Sequence, residues 1–155
     1  MPLTLPTATR SRTIMTVVAV CALGALGSCG VDQKIDWNDL ACEKAVNEAE
    51  SVDAFDWFKD PTGGPKRLGK WSNDEGLAFA ETLQMKGAKR VVAVGVSRRK
   101  GADEHERARG LVVELPADPS ARLSLFKLYA EQVRAQGFAP QADAGRKFLY
   151  LPWKL

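Results

Sequence analysis

Arg90-Val-Val-Ala-Val-Gly-Val96 is the stretch on which the fold turns. A β-branched run this short reads as a strand. Past the polar segment Ser97 to Arg109, which reads as an exposed loop, Gly110-Leu-Val-Val-Glu-Leu115 has the same character and makes the returning strand, with Glu114 toward solvent. Ahead of the first strand, Ser72-Asn-Asp-Glu75 is a capping box: the serine side chain accepts from the amide three residues on, and the glutamate reaches back. It predicts a helix with Leu77, Phe79, Ala80 and Leu83 inward, ended by Gly87, a residue that tolerates a left-handed conformation. Beyond the second strand, Asp118-Pro119 starts another helix, with Leu125, Phe126, Leu128, Tyr129 and Val133 on its apolar face and Gly137 as its stop. Lys147-Phe-Leu-Tyr-Leu-Pro-Trp153 is the last strand, with Pro152 marking either an edge of the sheet or the end of the strand.

From Ser72 the order is therefore α-β-β-α-β. If Lys66 to Trp71 pairs as a first strand, it becomes β-α-β-β-α-β, the split ferredoxin-like arrangement. Either way the fold class is α+β, a small antiparallel sheet with two helices on one face. Residues 86–153 also resemble small bacterial α/β proteins of unknown function through Lys86-Gly-Ala, Leu111-Val-Val-Glu-Leu-Pro, Asp118-Pro, Gly137-Phe and Gly145-Arg-Lys-Phe-Leu. That resemblance implies a shared fold and supplies no activity.

Upstream, Pro61-Thr-Gly-Gly-Pro65 breaks the chain and is the best internal boundary. Gly64-Pro-Lys-Arg-Leu-Gly69-Lys70 has the spacing of a phosphate loop, but Trp71 stands where a metal-binding Ser or Thr is needed, and no buried strand precedes it. The stretch reads as a basic edge strand or loop. Residues 31–60 carry a net charge of −6 and residues 61–155 one of +7. In the acidic part Leu40, Ala41, Ala45, Val46, Ala49 and Val52 have helical spacing behind Asn38 or Asp39 as cap, and Phe55, Trp57 and Phe58 must pack somewhere. This segment is expected as a helix laid on the following domain or as a tether partly covering it. Its acids disfavour a membrane-surface helix.

The chain of 155 residues is 45% hydrophobic and 26% charged, which excludes a disordered polymer, a disulfide-dense scaffold and a polytopic membrane protein. Arg10 and Arg12 are the only charges before Asp32, and an apolar run from Thr13 leads to Leu26-Gly27-Ser28-Cys29. A positive n-region, a short apolar stretch and small residues make a secretory signal. Its end resembles the lipobox of bacterial lipoproteins. The resemblance implies that Cys29 receives a diacylglyceryl group, that the chain is cut before it, and that the new amine is acylated. The expected organisation is a signal peptide over 1–28, a lipid anchor and acidic helical tether over 29–64, and the α+β domain over 65–155. Cleavage lowers the net charge from +3 to +1. Gly30 replaces the aspartate that would retain an enteric-type lipoprotein in the inner membrane, so the cell envelope, facing the periplasm from the outer membrane rather than the inner, is the expected place. The alternative is ordinary cleavage, leaving Cys29 to pair with Cys42.

No catalytic constellation, cofactor site or metal site is legible. After lipidation Cys42 is a lone thiol, expected to be a small buried residue. His105, the only histidine, lies among Asp103, Glu104 and Glu106. The suggestive feature is basic: Lys89, Arg90, Arg98, Arg99, Lys100, Arg107 and Arg109 form a candidate patch for an anionic envelope component or an acidic protein. The leading expectation is a non-enzymatic interaction or ligand-binding domain attached to the membrane through lipid at Cys29. The alternative is a small enzyme or metal-dependent factor using His105 with nearby carboxylates, or Cys42. Nucleic acid is not expected as a partner, and strand pairing near Trp153 would give an oligomer.

Overall fold

In the computed structural model, which describes residues 38–62, 64–97 and 105–154, the chain order is α1 (Asp39–Val46), β1 (Val52–Asp53), α2 (Ala54–Lys59), β2 (Lys66–Leu68), α3 (Asn73–Met85), β3 (Arg90–Val94), β4 (Glu106–Ala108), β5 (Gly110–Glu114), α4 (Pro119–Ala135) and β6 (Phe148–Pro152). These residues fall in one compact unit, Lys34–Leu155. The fold is α+β. Its main sheet is antiparallel with strand order β1-β3-β5-β6, and β2 pairs with β4 in a separate parallel sheet.

The ladder runs from Arg90↔Glu114↔Phe148 at one end to Val94↔Gly110↔Pro152 at the other. Because side chains alternate along a strand, two sets of apolar residues leave the sheet in opposite directions. Val91, Ala93, Leu111, Val113, Leu149 and Leu151 pack in one core with residues of α2, α3 and α4. Val92, Val94, Val112 and Phe148 pack with Cys42 and Ala45 of α1. Burial on both faces explains why β3 and β5 read as continuous apolar runs rather than alternating ones.

The helix boundaries follow from their caps. Ser72 and Glu75 form the reciprocal capping box of α3, and the Asp118 carboxylate accepts from Ala121 N–H at 2.8 Å at the start of α4. Gly87 and Gly137, with φ of 99° and 80°, lie just past the C-termini of these helices, where a side chain would be strained.

Three expectations are corrected in detail. The order α-β-β-α-β describes α3, β3, β5, α4 and β6, but the strand expected ahead of it, β2, joins β4 and not the main sheet. The segment Ser97 to Arg109, expected as loop, contains β4. Helices cover both faces of the sheet, since α1 lies opposite α2, α3 and α4. The acidic stretch packs against the rest of the described residues. Trp57 and Phe58 are each 2% exposed, β1 adds to the edge of β3, and a Cβ on Gly76 of α3 would lie 2.4 Å from the Phe58 ring. Full burial of an aromatic side chain is worth about 2 kcal/mol or more, which draws this segment onto the rest of the domain.

The outer edge of β6 is blunted. Leu115 N–H donates to Lys147 O at 2.9 Å and Trp153 N–H to Arg109 O at 3.2 Å. Antiparallel hydrogen bonding alternates, so the backbone groups of Phe148, Tyr150 and Pro152 point away from β5. Asp39 takes the Phe148 N–H at 2.9 Å, and Pro152 has none. Two of the three outward positions therefore offer no donor to an added strand.

Candidate functional site

Lys66, Arg67 and Leu68 stand opposite Glu106, Arg107 and Ala108 in the parallel β2–β4 register. The period of two sends Lys66, Leu68, Glu106 and Ala108 inward and leaves Arg67 and Arg107 outward. A buried charge is costly unless it is paired and hydrogen-bonded, and here it is both. Lys66 Nζ lies 3.4 Å from Glu106 Oε2 and donates to Gly64 O at 3.1 Å, while Trp57 Nε1 donates to the same Glu106 oxygen at 2.9 Å. Lys66 is 1% exposed. This inner face has a holding role: it locks two short strands and α2 together in one register.

The outer face is different. Arg67 is exposed and Arg107 half-buried, directly opposite each other. Arg107 also pairs with Ser97, exchanging backbone hydrogen bonds of 2.8 and 3.2 Å. Among the described residues neither guanidinium has a carboxylate partner. Beside Arg67 a cavity of about 290 Å³ is walled by Pro65, Lys66, Lys70, Ser72, Asn73 and Asp74, where the strand turns into α3. The Asn73 side-chain oxygen is buried there with no hydrogen-bond partner among the described residues.

The basic patch expected from sequence is divided. Lys89 and Arg90 lie at the Glu114 end of the ladder, where Arg90 faces Glu114 and lines a smaller cavity of about 170 Å³ with Glu43, Lys147 and Phe148. Arg107 and Arg109 lie at the Gly110 end, with Arg109 N–H donating to Val94 O. Arg98, Arg99 and Lys100 fall outside the described residues. Arg67 and Lys70 were not in the expected patch. The alternation Lys66-Arg67-Leu68, one charge in and one out, is the signal that finds Arg67.

Among the described residues, those of the enzymatic alternative are not brought together. Cys42 sits in the α1 core, where burial, and then the nearby Asp39 charge, push its thiol up to about 11, so it is protonated at neutral pH. His105 leads into β4 on the separate small sheet, its Nδ1 buried and without a hydrogen-bond partner among the described residues. Glu106, its neighbour, is engaged by Lys66 and Trp57, and Asp103 and Glu104 lie outside the described residues. Among the described residues no three His, Cys, Asp or Glu side chains group as metal ligands. Nor is any helix among them long and apolar enough to cross a membrane. No family model, curated protein or solved structure matches this chain.

Proposed function

We propose that the chain is a lipid-anchored envelope protein whose α+β domain acts as a non-enzymatic interaction or ligand-binding module. The observation that carries this is the ordered series of Arg10 and Arg12, the apolar run, and Leu26-Gly27-Ser28-Cys29. The two ester-linked chains of a thioether-bound diacylglyceryl group and one amide-linked chain, at about 0.8 kcal/mol per buried methylene, hold a protein durably on a bilayer.

The extent of the domain sharpens this reading. Asn38 caps α1 and follows Cys29 by only nine residues, which span about 30 Å when fully extended. That contour length is the upper limit on the separation of Cys29 and Asn38. The interaction reading is favoured over an enzyme by two observations: the Cys42 thiol is held protonated, and the Glu106 carboxylate is engaged by Lys66 and Trp57.

Metabolic labelling with a fatty-acid precursor, followed by mass spectrometry of the mature N-terminus, tests the anchor. The expected result is a diacylglyceryl-modified Cys29 at residue one of the product and no label in Cys29→Ser. Equal labelling of wild type and Cys29→Ser would overturn it.

A further inference from the structure

We infer that the outer face of the β2–β4 ladder, Arg67 with Arg107 and the adjoining Lys70, is a binding site for a phosphoryl group. Like charges directly opposite in a sheet destabilise it, and Arg67 and Arg107 stand in that relation with no carboxylate partner among the described residues. A bound anion removes that repulsion. Guanidinium forks present paired N–H donors, so two of them on one face match a tetrahedral oxyanion better than a carboxylate, which has only two oxygens to share. The cavity beside Arg67 gives the group a concave seat, with Lys70 on its wall. Asp74, also on that wall, opposes binding and sets a requirement for all the cations. The inner face supports the site: the buried Lys66–Glu106 pair fixes the register that holds Arg67 and Arg107 opposite each other.

The position is also specific. Gly69, in the turn after β2, packs against Trp153 just beyond the Pro152 end of the ladder, whereas Asp39, beside the residue where the chain leaves toward Cys29, bonds Phe148 at the other end. The phosphoryl site lies toward the Pro152 end of the ladder, opposite the end at which Asn38 and Asp39 stand. It is independent of lipidation at Cys29, and either inference can fail without the other.

The test is a titration of the full chain in uncharged detergent micelles, followed by the NMR signals of the arginine Nε–H groups. Two probes are used, inorganic phosphate and short-chain phosphatidic acid. Saturable shifts at Arg67 and Arg107 are expected. Arg67→Ala and Arg107→Ala should each weaken binding by about tenfold or more, the loss of a charge-assisted hydrogen-bonded pair. Arg67→Lys should weaken it in part, with the charge kept and the fork lost, and Arg134→Ala on α4 should bind as wild type does. Tighter binding of phosphatidic acid than of phosphate assigns the group to a lipid headgroup; equal binding assigns it to a soluble phosphoryl compound. Non-saturating shifts, or a loss in Arg134→Ala equal to that in Arg67→Ala, mean diffuse charge attraction and overturn the site. So does an unchanged affinity in Arg67→Ala and Arg107→Ala. Retained amide dispersion in Arg67→Lys excludes misfolding as the cause of a loss.

Discussion

The carboxylate of Asp39 accepts the backbone N–H of Phe148 at 2.9 Å, joining the first turn of α1 to the outward edge of β6. The same carboxylate accepts from Lys147 N–H at 2.9 and 3.0 Å. One acid thus anchors the acidic N-terminal segment to the last strand and blocks an edge donor. Asp39→Ala should cost about 2 kcal/mol, the range for hydrogen bonds to a charged group, read as a lower urea midpoint at unchanged m-value. It should also make light scattering rise with protein concentration, because the freed Phe148 N–H reopens the edge.

The buried Lys66–Glu106 pair predicts a non-additive pair of variants. Glu106→Ala leaves a lysine ammonium buried without its counter-charge and removes the Trp57 acceptor, and should destabilise by about 3 to 5 kcal/mol. Lys66→Met combined with Glu106→Leu removes both charges and should recover most of that loss. Denaturant melts of the two single variants and the double variant measure the coupling.

The thiol of Cys42 and the phenol of Tyr150 give the domain an alkaline limit. Burial raises Cys42 from 9.0 to about 11 and Tyr150 from 10.0 to about 12. Both groups deprotonate earlier in the unfolded chain, which then binds fewer protons than the native one, so stability falls as pH rises. The loss begins near pH 9 through Cys42, is joined near 10 by Tyr150, and levels off as the native groups ionise. Below pH 8 neither contributes a slope. Urea midpoints between pH 8 and 10.5 should fall, and Cys42→Ala should flatten the first part of that decline. At pH 8 the native thiol should react with a disulfide reagent far more slowly than the urea-unfolded one.

Gly76 carries no positive φ among the glycines that have one; its role is contact. A Cβ there would meet two atoms of the Phe58 ring at 2.4 Å. Gly76→Ala should therefore destabilise by about 1 to 3 kcal/mol through overpacking, despite alanine's higher helix propensity. Gly76→Ala combined with Phe58→Leu should recover part of the loss in thermal midpoint.

Local chemistry in the sequence located the elements well and their partners less well. The Ser72 box, the Asp118-Pro119 start and the β-branched run at Arg90 each act within a few residues, and each lies where that chemistry places it. The pairing of Lys66 with Glu106 does not act locally, and neither strand has more than three residues to advertise itself. For the same reason the basic residues near Arg90 and Arg107 read as one cluster, although Arg90 lies at the Glu114 end of the main sheet and Arg107 on the separate β2–β4 pair. Charge was the weaker guide to the segment 38–60: it left open a helix laid on the domain or a tether partly covering it, whereas Trp57, Phe58 and Cys42 decided where these residues pack.

The parallel pairing of β2 and β4 also bears on local opening. Three register pairs join these strands, against five in each of the β3–β5 and β5–β6 ladders, so the β2–β4 amides should exchange with solvent deuterium ahead of those of β5. A ligand held across that pair would close it again and slow the exchange.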